Sequence, residues 1–400
     1  MAKQIKMGVV GCGCWGPNLI RNFRTIRDCS LKVMCDISEK RLAHLRPLYP
    51  EVEGITDYSH VLNGVGVDAV VIATGVKLHH RMAKASLVAG KHTFIEDPMA
   101  CSTEECEELV AIARLKGLVL MTGQTFLYSP GVRKIKEMVD LGDLGDLRHI
   151  TARRLSQRLS GKDFNVAWDL ASHDIGVIQH VLGEQPVRVS CQGSAHGTSG
   201  IEEVTSICLD FPRQQTAIIQ SSWLEPRKVQ EMTIVGSRRM VVYDDVAPLE
   251  KIRVYGAPVQ RPAQDESFAD FHHPHHCGDV HVPYLKPEDP LKTQCQHFLD
   301  CINQGTTPMT DGNRGLEVVR VLEASSTSLK RGGAWVRLPD PKTGKGRMPP
   351  VSEAAARRST AGIAKPQVSR QAGGNLPLEL RAGARRIRPG AAAPPADVSS

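Results

Sequence analysis

The chain runs to 400 residues with 41% hydrophobic, 23% charged and 4% aromatic content, an ordinary globular balance whose length calls for two domains plus extras. No apolar run reaches the roughly 18 residues of a membrane helix, and Met1 to Val10 holds no signal-like core, so a cytoplasmic location without membrane partners is expected. The net charge of +7 sits in residues 341–400, where eleven Lys/Arg face three Asp/Glu and no Trp, Tyr or Phe is present to stack on bases; this disfavours a nucleic-acid partner, and the 11 scattered cysteines read as reduced thiols.

From Ile5 to about Thr122, short apolar strands alternate with helical stretches, the pattern of a doubly wound parallel sheet. Strands are predicted at Ile5 to Val10, Leu31 to Cys35, Ala69 to Ala73, Thr93 to Ile95 and Val119 to Met121, each rich in Val, Ile or Leu as strands covered on both faces should be. Pro17 suits the first turn of a helix, Gly90 closes the helix holding Met82 to Val88, and Ser102 with Glu105 reads as a capping box. The first strand runs into Gly11-Cys12-Gly13-Cys14-Trp15-Gly16, and Asp36 ends the second strand 20 residues beyond Gly16. This is the dinucleotide fingerprint in its full context. The glycines let backbone amides at a helix N-terminus approach a pyrophosphate, and a carboxylate at Asp36 suits ribose hydroxyls and repels a 2′-phosphate, favouring NAD. Lys40 and Arg41 lie near enough to leave NADP open, and Asp36 as a simple cap of the helix starting near Ser38 is the alternative. A metal at Cys12 and Cys14 is not expected, because no His lies nearby.

After Met121 the grammar changes: a helix around Val132 to Val139, a long strand from Leu147 to Leu159 and a helix from Trp168 to Leu182 are followed by strands at hairpin distances. These are Val187 to Cys191, Thr205 to Phe211, Thr216 to Trp223, Glu231 to Val235 and Arg239 to Tyr243, a mostly antiparallel open sheet. Helices from Leu291 to Asn303 and Arg314 to Leu329 close the folded part. The division expected is 1–123 for a dinucleotide-binding domain, 124–340 for a substrate-binding and oligomerisation domain, and 341–400 for a disordered basic tail.

The loop VGCGCWGPNLIRNF, together with AGKHTFIEDPMA at 89–100, TFLYSPGVRKIKE at 125–137, WDLASHDI at 168–175 and VGSRRMVVYDD at 235–245, resembles the Gfo/Idh/MocA oxidoreductases over about residues 4–335. Within that family it looks most like the branch that oxidises the 3-hydroxyl of UDP-linked N-acetylated sugars or uronates. The resemblance implies a Rossmann domain joined to an open-sheet α/β domain, a sugar or UDP-sugar bound between them, hydride transfer to NAD, and a homodimer or homotetramer. It further implies that Trp15, Thr74, His79 and Glu96 join the glycines and Asp36 around the cofactor, and that Tyr128, Arg154 and Trp168 meet substrate. Its reactive trio is a Lys in a Glu-Lys-Pro motif with the Asp and His of Asp-x-x-x-His, here Asp169 and His173. Residues four apart on a helix share a face, so both can enter one cleft, with His173 as base and Asp169 as its orienter or a hydroxyl acceptor.

Asp97 stands where the resemblance has the Lys. A carboxylate there opposes a developing alkoxide, which leaves two readings: an NAD-dependent sugar dehydrogenase, or a nucleotide-binding homologue without turnover. On both, Asp97→Lys is expected to raise activity. Gly75 replaces a Pro and Gln124 a His of the family pattern, and all three changes are expected around one cleft. The cluster His272-His273-Pro274-His275-His276-Cys277 reads as a surface loop with incidental metal affinity, and Arg153 and Arg154 as forks suited to phosphate.

Overall fold

A computed structural model describes residues 4–64, 66–157, 164–197, 200–256 and 279–339. The His272 to Cys277 cluster and the basic tail lie outside the described residues. In the first half, apolar runs become strands covered on both faces. These are β1 (Ile5–Val10), β2 (Cys29–Cys35), β3 (Glu53–Ile55), β4 (Ala69–Ile72), β5 (His92–Glu96) and β6 (Leu120–Gly123), all parallel in the order β3-β2-β1-β4-β5-β6. Between them lie α1 (Gly16–Thr25), α2 (Glu39–Leu45), α3 (Tyr58–Asn63), α4 (His79–Val88) and α5 (Thr103–Lys116). The order reverses at β1 and β4, so the carboxyl ends of those strands open the crevice in which such sheets bind ligands. The predicted strands appear here within one or two residues. Edge strand β3 was not predicted, because Glu-Gly-Ile is too short and too exposed to show an apolar run.

The punctuation residues act as expected, with one refinement. Pro17 lies in the first turn of α1 and Gly90 takes φ +75 just past α4. Ser102 Oγ accepts the Glu105 N–H (3.2 Å), but Glu105 reaches back one residue further than a capping box requires, accepting from the Cys101 N–H (2.9 Å).

The second half begins with α6 (Pro130–Asp140) and β7 (Leu147–Leu155); a single wider π-turn (Ala167–Ala171) then leads into α7 (Ser172–Leu182). Strands β8 (Arg188–Ser194), β9 (Val204–Asp210), β10 (Thr216–Ser222), β11 (Val229–Gly236), β12 (Met240–Asp244), β13 (Ile252–Tyr255) and β14 (Val280–His281) follow; then come α8 (Pro290–Gln304), α9 (Gly312–Lys330) and β15 (Val336–Arg337). Nine strands form one sheet in the order β14-β13-β12-β11-β7-β10-β9-β8-β15, antiparallel except for the β7–β10 pair. Alternation gives it two unlike faces: Ile150, Ala152, Ala217 and Ile219 are buried, while Ile218 between the last two is 40% exposed. Helices α8 and α9 return to the first sheet as well. Phe298 of α8 meets Phe94 of β5 edge-on at 5.7 Å, and Arg320 of α9 bonds Glu107 of α5 at 2.6 Å. The last two helices therefore bind the halves together over the carboxyl ends of β5 and β6.

Candidate active site

The glycine loop divides its labour by position. Gly11 has φ +96, and a Cβ there would lie 2.5 Å from the Ala73 carbonyl oxygen. One on Gly16 would lie 1.9 Å from the Gly11 carbonyl oxygen, so both glycines allow close backbone packing. A Cβ on Gly13 would meet nothing within 4 Å. Gly13 is thus the open side of the loop, at the N-terminus of α1, the arrangement that admits a pyrophosphate. Asp36 is buried: Oδ2 accepts the Cys12 N–H at 2.7 Å and Oδ1 the Ser38 N–H at 2.8 Å, while Arg41 lies 3.3 Å from Oδ2. The carboxylate therefore ties the glycine loop to the turn before α2, and Arg41 is drawn into a pair with it.

Beyond the loop, a cavity of about 460 Å³ opens between the carboxyl ends of the parallel strands and the second sheet. Trp15, Thr74, His79, Glu96, Asp97, Trp168, Asp169 and His173, each predicted for cofactor, catalysis or substrate, all line it. Phe126, Phe164 and Trp223 add aromatic walls to it and are not among the predicted residues. Phe126 lies inside the TFLYSPG motif, so a signal for it existed, whereas Trp223 follows directly on β10 and its neighbours in space are revealed by no local pattern. His79 is buried with its two ring nitrogens 2.8 Å from the Pro98 carbonyl and 2.9 Å from the Thr74 carbonyl, and the neutral ring donates to one of them, between the loop after β4 and the loop after β5. Burial holds its basicity below the ordinary histidine value.

Glu96 is partly covered, with Oε1 fully buried, and burial together with the Asp97 charge pushes its carboxyl up to about 8. Its Oε1, both Asp97 oxygens and His173 Nδ1 are buried without a hydrogen bond among the described residues. Yet Asp97 Oδ2 and His173 Nδ1 are 3.3 Å apart, so the two groups meet at contact distance with an angle outside hydrogen-bond range. Asp169 lies in the π-turn and His173 at the start of α7, so the spacing spans two helix types, and the widened turn still brings both to the cavity. The Asp169 Oδ2 accepts the Trp223 indole N–H at 2.9 Å.

Two residues predicted to meet substrate do not line this cavity. Tyr128 is buried away from the cavity, its hydroxyl 2.9 Å from His297 Nδ1 and 3.2 Å from Thr310 Oγ1. Arg154 is also buried, with Nε and one terminal nitrogen donating to Asp174 at 3.0 and 2.8 Å and its guanidinium 4.2 Å from the Phe126 ring centre. Phe126 in turn lies 5.0 Å from the His173 ring, so Arg154 supports the wall from behind. The three departures do not share one cleft either. Gln124 is buried close under Gly176 of α7, outside the cavity, and Gly75 holds φ −66, a value that proline itself would fix, so the loop keeps its shape.

Comparison with known proteins agrees with this architecture. Residues 5–124 match the model of the oxidoreductase family with an NAD-binding Rossmann fold, and residues 132–242 match the GFO/IDH/MocA C-terminal domain. An uncharacterized oxidoreductase, YrbE, of Bacillus subtilis is 27% identical over 83% of this chain and 96% of its own. The myo-inositol 2-dehydrogenase of Thermotoga maritima is 24% identical over 60% of this chain and 76% of its own. Among solved structures, the UDP-N-acetylglucosamine 3-dehydrogenase GnnA of Acidithiobacillus ferrooxidans superposes with a TM-score of 0.70 at 22% identity, over 82% of this chain and 98% of that one.

Proposed function

The chain belongs to the Gfo/Idh/MocA family of NAD-binding oxidoreductases, and from that premise we propose that it is a dehydrogenase of a ring hydroxyl on a sugar or sugar nucleotide, with His173 as the base. The observation that carries this reading is the meeting of His173, Asp169 and Asp97 in one cavity of about 460 Å³ beside the open Gly13 loop, a volume within the usual range for a small-molecule site. Bound NAD supplies the hydride acceptor. Gly11, Gly13, Gly16 and Asp36 would hold it, with Trp15, Thr74, His79 and Glu96 along the cavity wall.

His173 takes the hydroxyl proton, and Asp169, which accepts the Trp223 indole N–H, lines the same cavity as a carboxylate toward the substrate hydroxyls. Trp168, Trp223, Phe126 and Phe164 offer aromatic faces to the apolar side of a ring and exclude water. Glu96, Asp97 and Asp169 place three carboxyl groups on the cavity wall. This favours a ring that is uncharged at the reacting end, so an N-acetylated sugar or an inositol over a uronate. The relatives named myo-inositol 2-dehydrogenase and UDP-N-acetylglucosamine 3-dehydrogenase support that class. The open face of the nine-stranded sheet, with Ile218 exposed on it, is the surface we assign to a second copy.

The second reading, a nucleotide-binding homologue without turnover, draws on Asp97 alone. The purified protein with NAD and a panel of inositols, UDP-N-acetylhexosamines and their uronates, followed at the nicotinamide absorbance band, separates the two. Reduction on an uncharged ring is expected; NAD binding with no reduction on any member of the panel would establish the second reading.

A further inference from the structure

We propose that Asp97 is a positioning residue that holds the proton of neutral His173 on Nδ1, so that the Nε2 lone pair faces the cavity; this rests on the reading of His173 as the base. The carboxylate is 1% exposed, both its oxygens lack a hydrogen bond among the described residues, and Oδ2 is 3.3 Å from His173 Nδ1. An ionised carboxylate only accepts, so the ring nitrogen beside it must donate. The other nitrogen is then left to accept. His173 keeps 23% of its side chain exposed although Nδ1 itself is buried, which puts the Nε2 side of the ring at the cavity. Rotation about the soft terminal torsion of the imidazole brings the N–H into line with Oδ2.

Among the described residues, Asp97 is the acid set against His173 Nδ1. Asp169 has one oxygen committed to the Trp223 indole, and His79 is held between two backbone carbonyls. Arg154 is forked onto Asp174 and reaches His173 only through the Phe126 ring. Glu96, the last residue of β5 and the neighbour of Asp97, has its carboxyl pushed up to about 8 by burial and by the Asp97 charge. In the reaction the substrate O–H bond breaks and its proton bonds to His173 Nε2. Bound NAD would accept the C–H electron pair as hydride, a C=O bond would form, and the imidazolium would be left facing the Asp97 carboxylate. The charge that the family's lysine would place on the substrate side is replaced by a charge that strengthens the base from behind.

The test is nitrogen NMR of the labelled full-length protein at a pH where the ring is neutral, with His173→Gln identifying the resonances. Wild type is expected to show His173 protonated on Nδ1. In Asp97→Ala and Asp97→Lys the proton is expected to move to Nε2, with Asp97→Glu restoring the wild-type form and melting curves confirming that each variant is folded. Where the substrate panel gives turnover, Asp97→Ala should lower kcat by about 10²- to 10⁴-fold, and Asp97→Lys should fail to raise it, the reverse of what the family pattern suggests. An Nε2-protonated His173 in wild type, or a tautomer indifferent to Asp97→Ala, overturns the inference even if the dehydrogenase reading stands. The expected tautomer with no turnover on any substrate sinks the dehydrogenase reading instead and leaves the pairing of Asp97 with His173 established.

Discussion

Arg153 and Arg154 are neighbours in one strand, yet alternation sends the first side chain half into solvent, where it lies 3.8 Å from Glu231, and the second into the core. Burial decides the role of Arg154. Removing its guanidinium would strand the Asp174 carboxylate in an enclosed site, and breaking a buried pair in this way costs about 3–5 kcal/mol. Arg154→Ala should therefore lower the urea midpoint strongly, whereas Tyr128→Phe, which loses a buried hydroxyl but no charge, should cost about 1 kcal/mol and leave KM unchanged. A large KM effect in Tyr128→Phe with unaltered stability would return that residue to the substrate site. The tandem arginines were visible in the sequence; Asp174, on a different element, could not be recognised as the partner of one of them. Asp97 shows the same limit from the other side. Its identity was plain and read as a defect, because only the fold brings His173 Nδ1 to 3.3 Å from it.

At the scale of elements, the glycine loop gives a sharper experiment than its fingerprint alone would allow. Gly16→Ala forces a Cβ to 1.9 Å from the Gly11 carbonyl oxygen, so it should destabilise the chain by about 1–3 kcal/mol, as overpacking does. Gly13→Ala meets no protein atom within 4 Å, so its melting temperature should stay near wild type while NAD affinity falls by about tenfold or more, roughly 1.4 kcal/mol. Calorimetric titration with NAD beside a thermal melt of both variants checks the split. Equal losses of stability in the two would show that the open side of the loop is not where the ligand comes. The loop, its helix and its strands were legible because each rests on local rules: apolar runs, a proline in a first turn, glycines where the backbone crowds. The π-turn was not, since Trp168 to His173 reads as ordinary helix and the extra residue in the turn is set by what packs on it.

At the scale of the whole molecule, the site is assembled from segments far apart in the chain, and this is where sequence order misleads. A boundary near residue 123 separates the two sheets, yet the Thr122 N–H bonds the Thr310 carbonyl at 2.8 Å and Gln294 of α8 donates to the Thr122 carbonyl at 3.2 Å, so the C-terminal helices belong to both halves. That closure covers the Glu96 carboxyl on one side. The carboxyl abuts Gly123, and Cys295 of α8 lies close enough to feel its charge, so the proton is retained up to about 8 against an ordinary value of 4.5. The linkage follows directly. With the folded value raised above the unfolded one, the folded chain binds the extra proton between those limits; the stabilisation is complete below 4.5, declines as pH rises, and is lost through about 8. Glu96→Gln keeps the shape and removes the titration, so its urea midpoint should change less between about pH 5 and about pH 9 than that of wild type, and it should be the more stable of the two at the alkaline end. If the two proteins lose stability in parallel over that range, the proton is not held at Glu96.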